Sequence, residues 1–251
     1  MAHNNNWIYM KDINIKAEID RAFAETVSAF MTTPAIQSIR AGKLTLGGYK
    51  SILREIYHYT KEDPQIQAYA SVYFRGEDRE SVKLFLRHAI SEIGHEKLAL
   101  ADAEALGDDV SGIEYTQPLP STIAFTAFGF YQITFGNPVA YLGYLYFLEF
   151  LPTQQGGIFK DALLMAGIPE SATTFLRDHM SVDIGHNQLM EKYLATLIRT
   201  RADLDAVIYT MRVSGVLYAH MLQGAIERAD QPVDYGIAWA EVARLTDTNV
   251  A

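Results

Sequence analysis

The chain contains no cysteine among its 251 residues. That excludes disulfides, thiolate-bound metals and a cysteine nucleophile, and it suits a reducing cytoplasm. Positive charge is also scarce: 21 Lys and Arg against 30 Asp and Glu leave a net charge of −9. Phosphate backbones are held by clustered Lys and Arg, and no basic stripe with interleaved aromatics occurs, which argues against nucleic acid as a partner. The start, Met1-Ala-His-Asn-Asn-Asn6, lacks the cationic region and apolar run of a secretory signal. A cytoplasmic location is therefore expected. Long apolar runs are missing too. The richest stretch, Ile123 to Leu151, is interrupted by Gln132, Asn137-Pro138 and Glu149, so no membrane span is expected. Nor is there sustained period-two alternation, the mark of half-buried strands.

What remains is helical. Apolar residues make up 49% of the chain, enough for a sizeable core. Pro and Gly cut the sequence into helical lengths. Ile13 to Met31 is amphipathic, and Pro34 opens a short helix. Thr45 fits the N-cap of a helix reaching about Glu62, closed by Asp63-Pro64. A helix follows from Pro64 to Phe74. The next is expected to run unbroken from Asp78 through Glu92 and His95 to Gly107. Aromatic helices span Ser121 to Leu151, bent or broken at Pro138. After Thr153-Gln-Gln-Gly-Gly157 comes a short helix to Gly167. Pro169 suits the first turn of a helix extending through His179 and His186 to Thr200. Helices near Asp203 to Arg228 and Tyr235 to Leu245 complete an all-α chain. No linker or low-complexity segment divides residues 1–251, so one domain is expected.

The strongest chemical signal is His179-Met-Ser-Val-Asp183-Ile-Gly-His186. On a helix these three side chains fall at about 0°, 40° and −20°, one narrow face that can ligate a metal. A polar surface stripe would share the spacing, but Val182, Ile184 and Leu189 surround this one. A second segment adds Glu92 and His95 at i, i+3, the Glu-x-x-His arrangement of carboxylate-bridged di-iron bundles. Glu55-Ile-Tyr-His58 has the same spacing and is read mainly as structural. His88 shares the Glu92 face, as a donor behind the ligands or as a satisfied core histidine. Glu149 stands in the most apolar part of the chain, where an ionised carboxylate needs a partner or a metal. Its alternative is a helix-end Glu escaping to solvent beside Pro152. The candidate ligands are thus Glu92, His95, Glu149, His179, Asp183 and His186. Their mixed nitrogen and oxygen donors suit iron or manganese, whereas Ca²⁺ and Mg²⁺ prefer oxygen alone.

In that order, Glu-x-x-His, a lone Glu, then His-x3-Asp-x2-His, the chain resembles the haem-oxygenase-like di-iron oxidases and oxygenases, relatives of the thiaminase-like and PQQ-synthesis-like helical proteins. The separations look like those of the member that makes a terminal alkene from a fatty acid. The resemblance covers about Thr45 to Arg228. It implies a seven-helix bundle, two iron ions cycling between Fe2+ and Fe3+, and dioxygen-dependent hydroxylation, desaturation or cleavage of a small carboxylate such as an amino acid or fatty acid. Some relatives carry the first carboxylate seven residues before the histidine, a position held here by His88, so Glu92 is taken as the ligand. Two rivals remain. A thiaminase-like hydrolase uses a cysteine that this chain lacks, and a non-enzymatic iron-binding protein of the ferritin-like pattern would carry Glu-x-x-His in its last ligand helix.

Two further expectations concern the substrate and the assembly. Ile123, Phe125, Phe128, Phe130, Tyr131, Phe135, Tyr141, Tyr144 and Phe147 crowd the approach to Glu149, as core or as pocket lining. Arg212, inside the apolar segment Val207 to Leu222, is the cation best suited to fork a substrate carboxylate, with an outward surface position as its alternative. A homodimer is the default assembly.

Overall fold

The computed structural model describes residues 13–229 and residue 231, without the side chains of residues 182–184. Ten α-helices form among them. They are α1 (Ile15–Met31), α2 (Pro34–Arg40), α3 (Leu46–Thr60), α4 (Asp63–Ala70), α5 (Arg79–Glu92), α6 (Glu96–Ala105), α7 (Pro120–Phe135), α8 (Tyr141–Met165), α9 (Thr174–Leu197) and α10 (Arg201–Glu227). No strand occurs among the described residues. No described helix is long and apolar enough to cross a membrane. The expected helix over Tyr235 to Leu245 lies outside the described residues.

Local chemistry sets most helix ends. The Thr45 hydroxyl accepts from Gly48 N at 3.0 Å and caps α3. Thr200 and Asp203 form a reciprocal capping box on α10. Three boundaries differ from expectation. The helix drawn from Asp78 to Gly107 is two, α5 and α6, because Gly94 turns the chain with φ +103°. The short helix after Gly157 is instead the second half of α8, which runs on through Pro152. An interior proline costs about 3 kcal/mol. Here Phe150, Leu151, Ala162 and Leu163 are all buried along the same helix, and burying each large side chain returns roughly 1.5–3 kcal/mol. Packing wins, and the helix stays whole. Finally, Pro169 opens only a 3-10 turn, and α9 starts five residues later.

The core is built around α8, which packs on α9 and α10, while α10 also meets α1, α3 and α7. Tyr141, Tyr144, Tyr146 and Phe147 on α8 are at most 1% exposed. Gly143 permits the α8–α10 contact, since a Cβ there would stand 2.1 Å from the Val207 carbonyl oxygen. Buried carboxylates fix helices at a distance in sequence. Asp102 of α6, fully buried, accepts from Thr174 N (2.8 Å), Phe175 N (2.9 Å) and the Thr174 hydroxyl (2.6 Å). It caps α9 from outside, where the helix dipole favours negative charge. Those bonds tie α6, which follows directly on His95, to the helix carrying His179 and His186.

Candidate metal centre

Four helices meet at a cluster of histidines and glutamates. Glu92 ends α5, and Glu149 lies mid-helix on α8, 6% exposed. The alternative of a solvent-seeking Glu149 is thereby removed, because Pro152 does not end the helix. His95 precedes α6, and His179 and His186 stand on α9. The i, i+3 pair Glu92–His95 is carried around the Gly94 turn, not along one helix. Glu96 accepts from Gly94 N at 2.9 Å and steadies that turn.

Two groups of potential ligand atoms result, each within 4.8 Å. One comprises His88, Glu92, Glu149 and His186; the other comprises Glu92, His95 and His179. Glu92 belongs to both. Its Oε1 lies 3.2 Å from His186 Nδ1 and 3.3 Å from His88 Nε2, and its Oε2 lies 2.8 Å from His95 Nδ1. Glu149 reaches His88 Nε2 at 2.9 Å and His186 Nδ1 at 3.0 Å. The second group is closed by the edge-on approach of the His95 and His179 rings, centroids 4.9 Å apart.

The far side of each ring decides which nitrogen faces the cluster. His179 Nδ1 donates to the Phe175 carbonyl at 2.7 Å, leaving Nε2 as the donor atom turned to a ligand. The Ser91 hydroxyl gives its proton to the His88 carbonyl and can accept from His186 Nε2 at 3.2 Å. His186 Nδ1 then faces Glu92 and Glu149. Both nitrogens of His88, Nδ1 of His95 and Oε1 of Glu92 are buried without a well-directed hydrogen bond, despite the short distances. Such atoms are close enough to share a cation and badly aimed for sharing a proton. The residues therefore fit a metal.

Electrostatics agree. Burial alone would lower His88, but Glu149 and Glu92 outweigh it and hold the imidazole up at about 9. Glu92 chiefly holds His95 up as well. Burial would raise both glutamates, yet the surrounding histidines keep each below the usual carboxylate range. His179 is lowered, mainly by burial. Charges of opposite sign thus offset a desolvation cost of several kcal/mol per buried ion.

A cavity of about 140 Å³ opens on the cluster at Glu92, Glu149 and His179. Its wall is chiefly aliphatic, including Ile36 and Ile39 of α2 and Ile52, Leu53 and Ile56 of α3. The aromatic stripe before Glu149 does not line it. Phe125, Tyr141, Tyr144 and Phe147 are core, and Ile123, Tyr131 and Phe135 are exposed. Arg212 is likewise elsewhere, on the outer surface, 2.7 Å from Glu25 and half exposed. Among the described residues, no Lys or Arg lines the cavity. The structure thus brings together Glu92, His95, Glu149, His179 and His186 and leaves Arg212 out. The Asp183 side chain lies outside the described residues. His88 sits inside the cluster, a place that its heptad-like spacing from Glu92 and His95 left undecided.

A buried histidine–carboxylate cluster at an apolar cavity within an all-helical fold defines the class: an all-α protein with an interior site whose residues could hold a metal ion. Residues 50–215 match the sequence profile of the iron-containing redox enzyme family, and the chain belongs to that family. No curated protein matches it. Among solved structures it is similar to a domain of unknown function with a haem-oxygenase-like fold from Shewanella denitrificans, 26% identical with TM-score 0.78, over 86% of this chain and 94% of that one. It also shares its fold with a TenA homologue from P. horikoshii, 13% identical with TM-score 0.70, over 86% and 99% of the two chains. The haem oxygenase of Leptospira interrogans, 15% identical with TM-score 0.61, covers 84% and 100%. The fold is the haem-oxygenase-like one.

Proposed function

We propose that the chain is a non-haem di-iron enzyme that uses dioxygen to oxidise a small organic substrate. The observation carrying this reading is that Glu92 belongs to two adjacent ligand groups. One ion would take Glu92, His95 and His179; the other would take Glu92, Glu149 and His186, with His88 as a further donor. Asp183 keeps its place in the ligand set on sequence spacing alone. When bound, two irons supply the electrons that reduce dioxygen, and open coordination positions admit it.

The chain's own groups do the rest. Phe175 and Ser91 orient the rings of His179 and His186 through their outer nitrogens. Aliphatic side chains of α2 and α3 hold water off and take the apolar body of the substrate. Among the described residues, no Lys or Arg lines the wall to receive a substrate carboxylate.

The experiment is anaerobic Fe(II) loading, metal analysis and then exposure to oxygen. Two irons per chain and oxygen uptake are expected from the parent, and His179→Ala should retain about one iron and lose oxygen reactivity. Full iron content and oxygen uptake in His179→Ala would overturn the assignment. Iron bound without oxygen uptake in the presence of substrates would favour a non-enzymatic iron-binding protein.

A further inference from the structure

Away from the cluster, the same cavity has a second polar station. Thr60 ends α3, and Asp63 and Gln67 stand one turn apart on α4; all three line the cavity. Gln67 is 1% exposed, and neither its amide oxygen nor its amide nitrogen has a hydrogen-bond partner. The Thr60 hydroxyl, 2% exposed, also lacks a well-directed bond, with the Tyr59 phenol beside it. Asp63 has a single long contact, 3.5 Å from the Tyr144 hydroxyl. Orphaned buried polar groups cost about 1–3 kcal/mol each and call for an explanation. None of the three takes part in either ligand group.

Charge selects the missing partner. Among the described residues, the cavity wall carries Asp63, Glu92 and Glu149 and no Lys or Arg. Burial, with Glu92 and Glu149 nearby, pushes the Asp63 carboxyl well above its usual range, so an anion beside it would raise it further and a cation would bring it down. A carbonyl could accept from the Gln67 amide nitrogen and a hydroxyl could bridge Gln67 and Asp63, but neither brings the positive charge that would pair with the Asp63 carboxylate. A protonated primary amine has three donors, and this corner has three acceptors: the Asp63 carboxylate, Gln67 Oε1 and the Thr60 hydroxyl oxygen. The aliphatic wall then fits the chain attached to the nitrogen. The volume resembles that of the ~150 Å³ apolar cavity that accepts benzene, so a ligand of about six heavy atoms is the right size.

Resting on the di-iron reading for the fate of the ligand, we infer that Thr60, Asp63 and Gln67 form a binding site for the ammonium group of a short aliphatic amine substrate. Asp63 and Gln67 are specificity-determining residues, set in the cavity that the metal cluster faces.

The test is isothermal titration calorimetry of n-pentylamine, 1-pentanol and pentanoate at neutral pH, on the metal-free chain and on the anaerobic Fe(II)-loaded chain. The amine should bind at least tenfold more tightly than the alcohol or the carboxylate in both states. Asp63→Asn should bring the amine to the level of the alcohol, and Gln67→Leu should weaken it several-fold. Both variants should retain the parent's iron content and circular dichroism. Equal binding of amine and alcohol, tighter binding of pentanoate, or no binding at all overturns the inference. So does an amine preference that survives Asp63→Asn, because the nitrogen would then be held by iron or by the apolar wall. Two bound irons without an amine preference would leave the di-iron reading standing. An amine preference without iron uptake would support the amine site and sink the di-iron reading.

Discussion

Glu55–His58 and Glu92–His95 have the same spacing and opposite fates. Glu55 lies inside the unbroken α3 and accepts from Leu119 N at 3.0 Å and from the Thr122 hydroxyl, capping α7. His58 is 2.8 Å from the Thr116 hydroxyl. Burial dominates both: it raises Glu55 above the carboxylate range and lowers His58 to about 3. In the second pair the shifts reverse, because His88 and His95 hold Glu92 down and Glu92 in turn holds His95 up. A carboxylate and a histidine three residues apart could hold a metal only where further donors converge on them. Otherwise they become helix caps.

The largest effect should come from exchanging this difference for a deletion. Glu92→Ala removes the carboxylate that both ligand groups share, and near-complete loss of iron and oxygen uptake is expected by metal analysis and an oxygen electrode. Glu55→Ala should keep its iron but lose about 1–3 kcal/mol of stability, since two buried donors are orphaned. Iron loss of equal size in both variants would erase the contrast.

A pH series on the metal-free chain should separate the two histidine environments. His88 is raised from 6.5 to about 9, so its contribution is full below pH 6.5 and disappears as pH rises through 9. His58 is lowered from 6.5 to about 3, so its contribution is full above pH 6.5 and fades as pH falls. The alkaline limb is on the order of 3 kcal/mol and the acid limb on the order of 5 kcal/mol. Thermal melts should therefore decline on both sides of pH 6.5. Iron, which takes histidines in neutral form, should flatten the alkaline limb alone. An alkaline limb unchanged by iron would place His88 outside the metal's influence.

The smallest effect is expected at the turn that distinguishes the second pair. Gly94 has φ +103°, and a Cβ there would meet nothing within 4 Å, so Gly94→Ala carries a backbone penalty alone. About 1–2 kcal/mol is expected in chemical denaturation, with a reduced iron affinity as His95 shifts relative to Glu92. Substituting Ala within the continuous α3, as at Ser51→Ala, should leave iron binding unaltered. If Gly94→Ala binds iron like the parent, the turn positions nothing.

The helical class, the capped start of α3 and, His88 apart, the histidines and glutamates that meet in the cluster were legible in the sequence. Each depends on residues within a turn or two of one another, where spacing and hydrogen-bond chemistry act locally. Glu149 was legible for a related reason: an isolated carboxylate in an apolar run must find a partner. Only the tertiary structure decided that α8 survives Pro152, that Gly94 divides α5 from α6, and that His88 joins the cluster while Arg212 faces solvent. It also placed Asp102 at the start of α9 and turned Asp63 and Gln67 into the cavity. These outcomes balance backbone penalties and desolvation against packing and charge from helices distant in sequence. Spacing along one helix contains neither side of that balance.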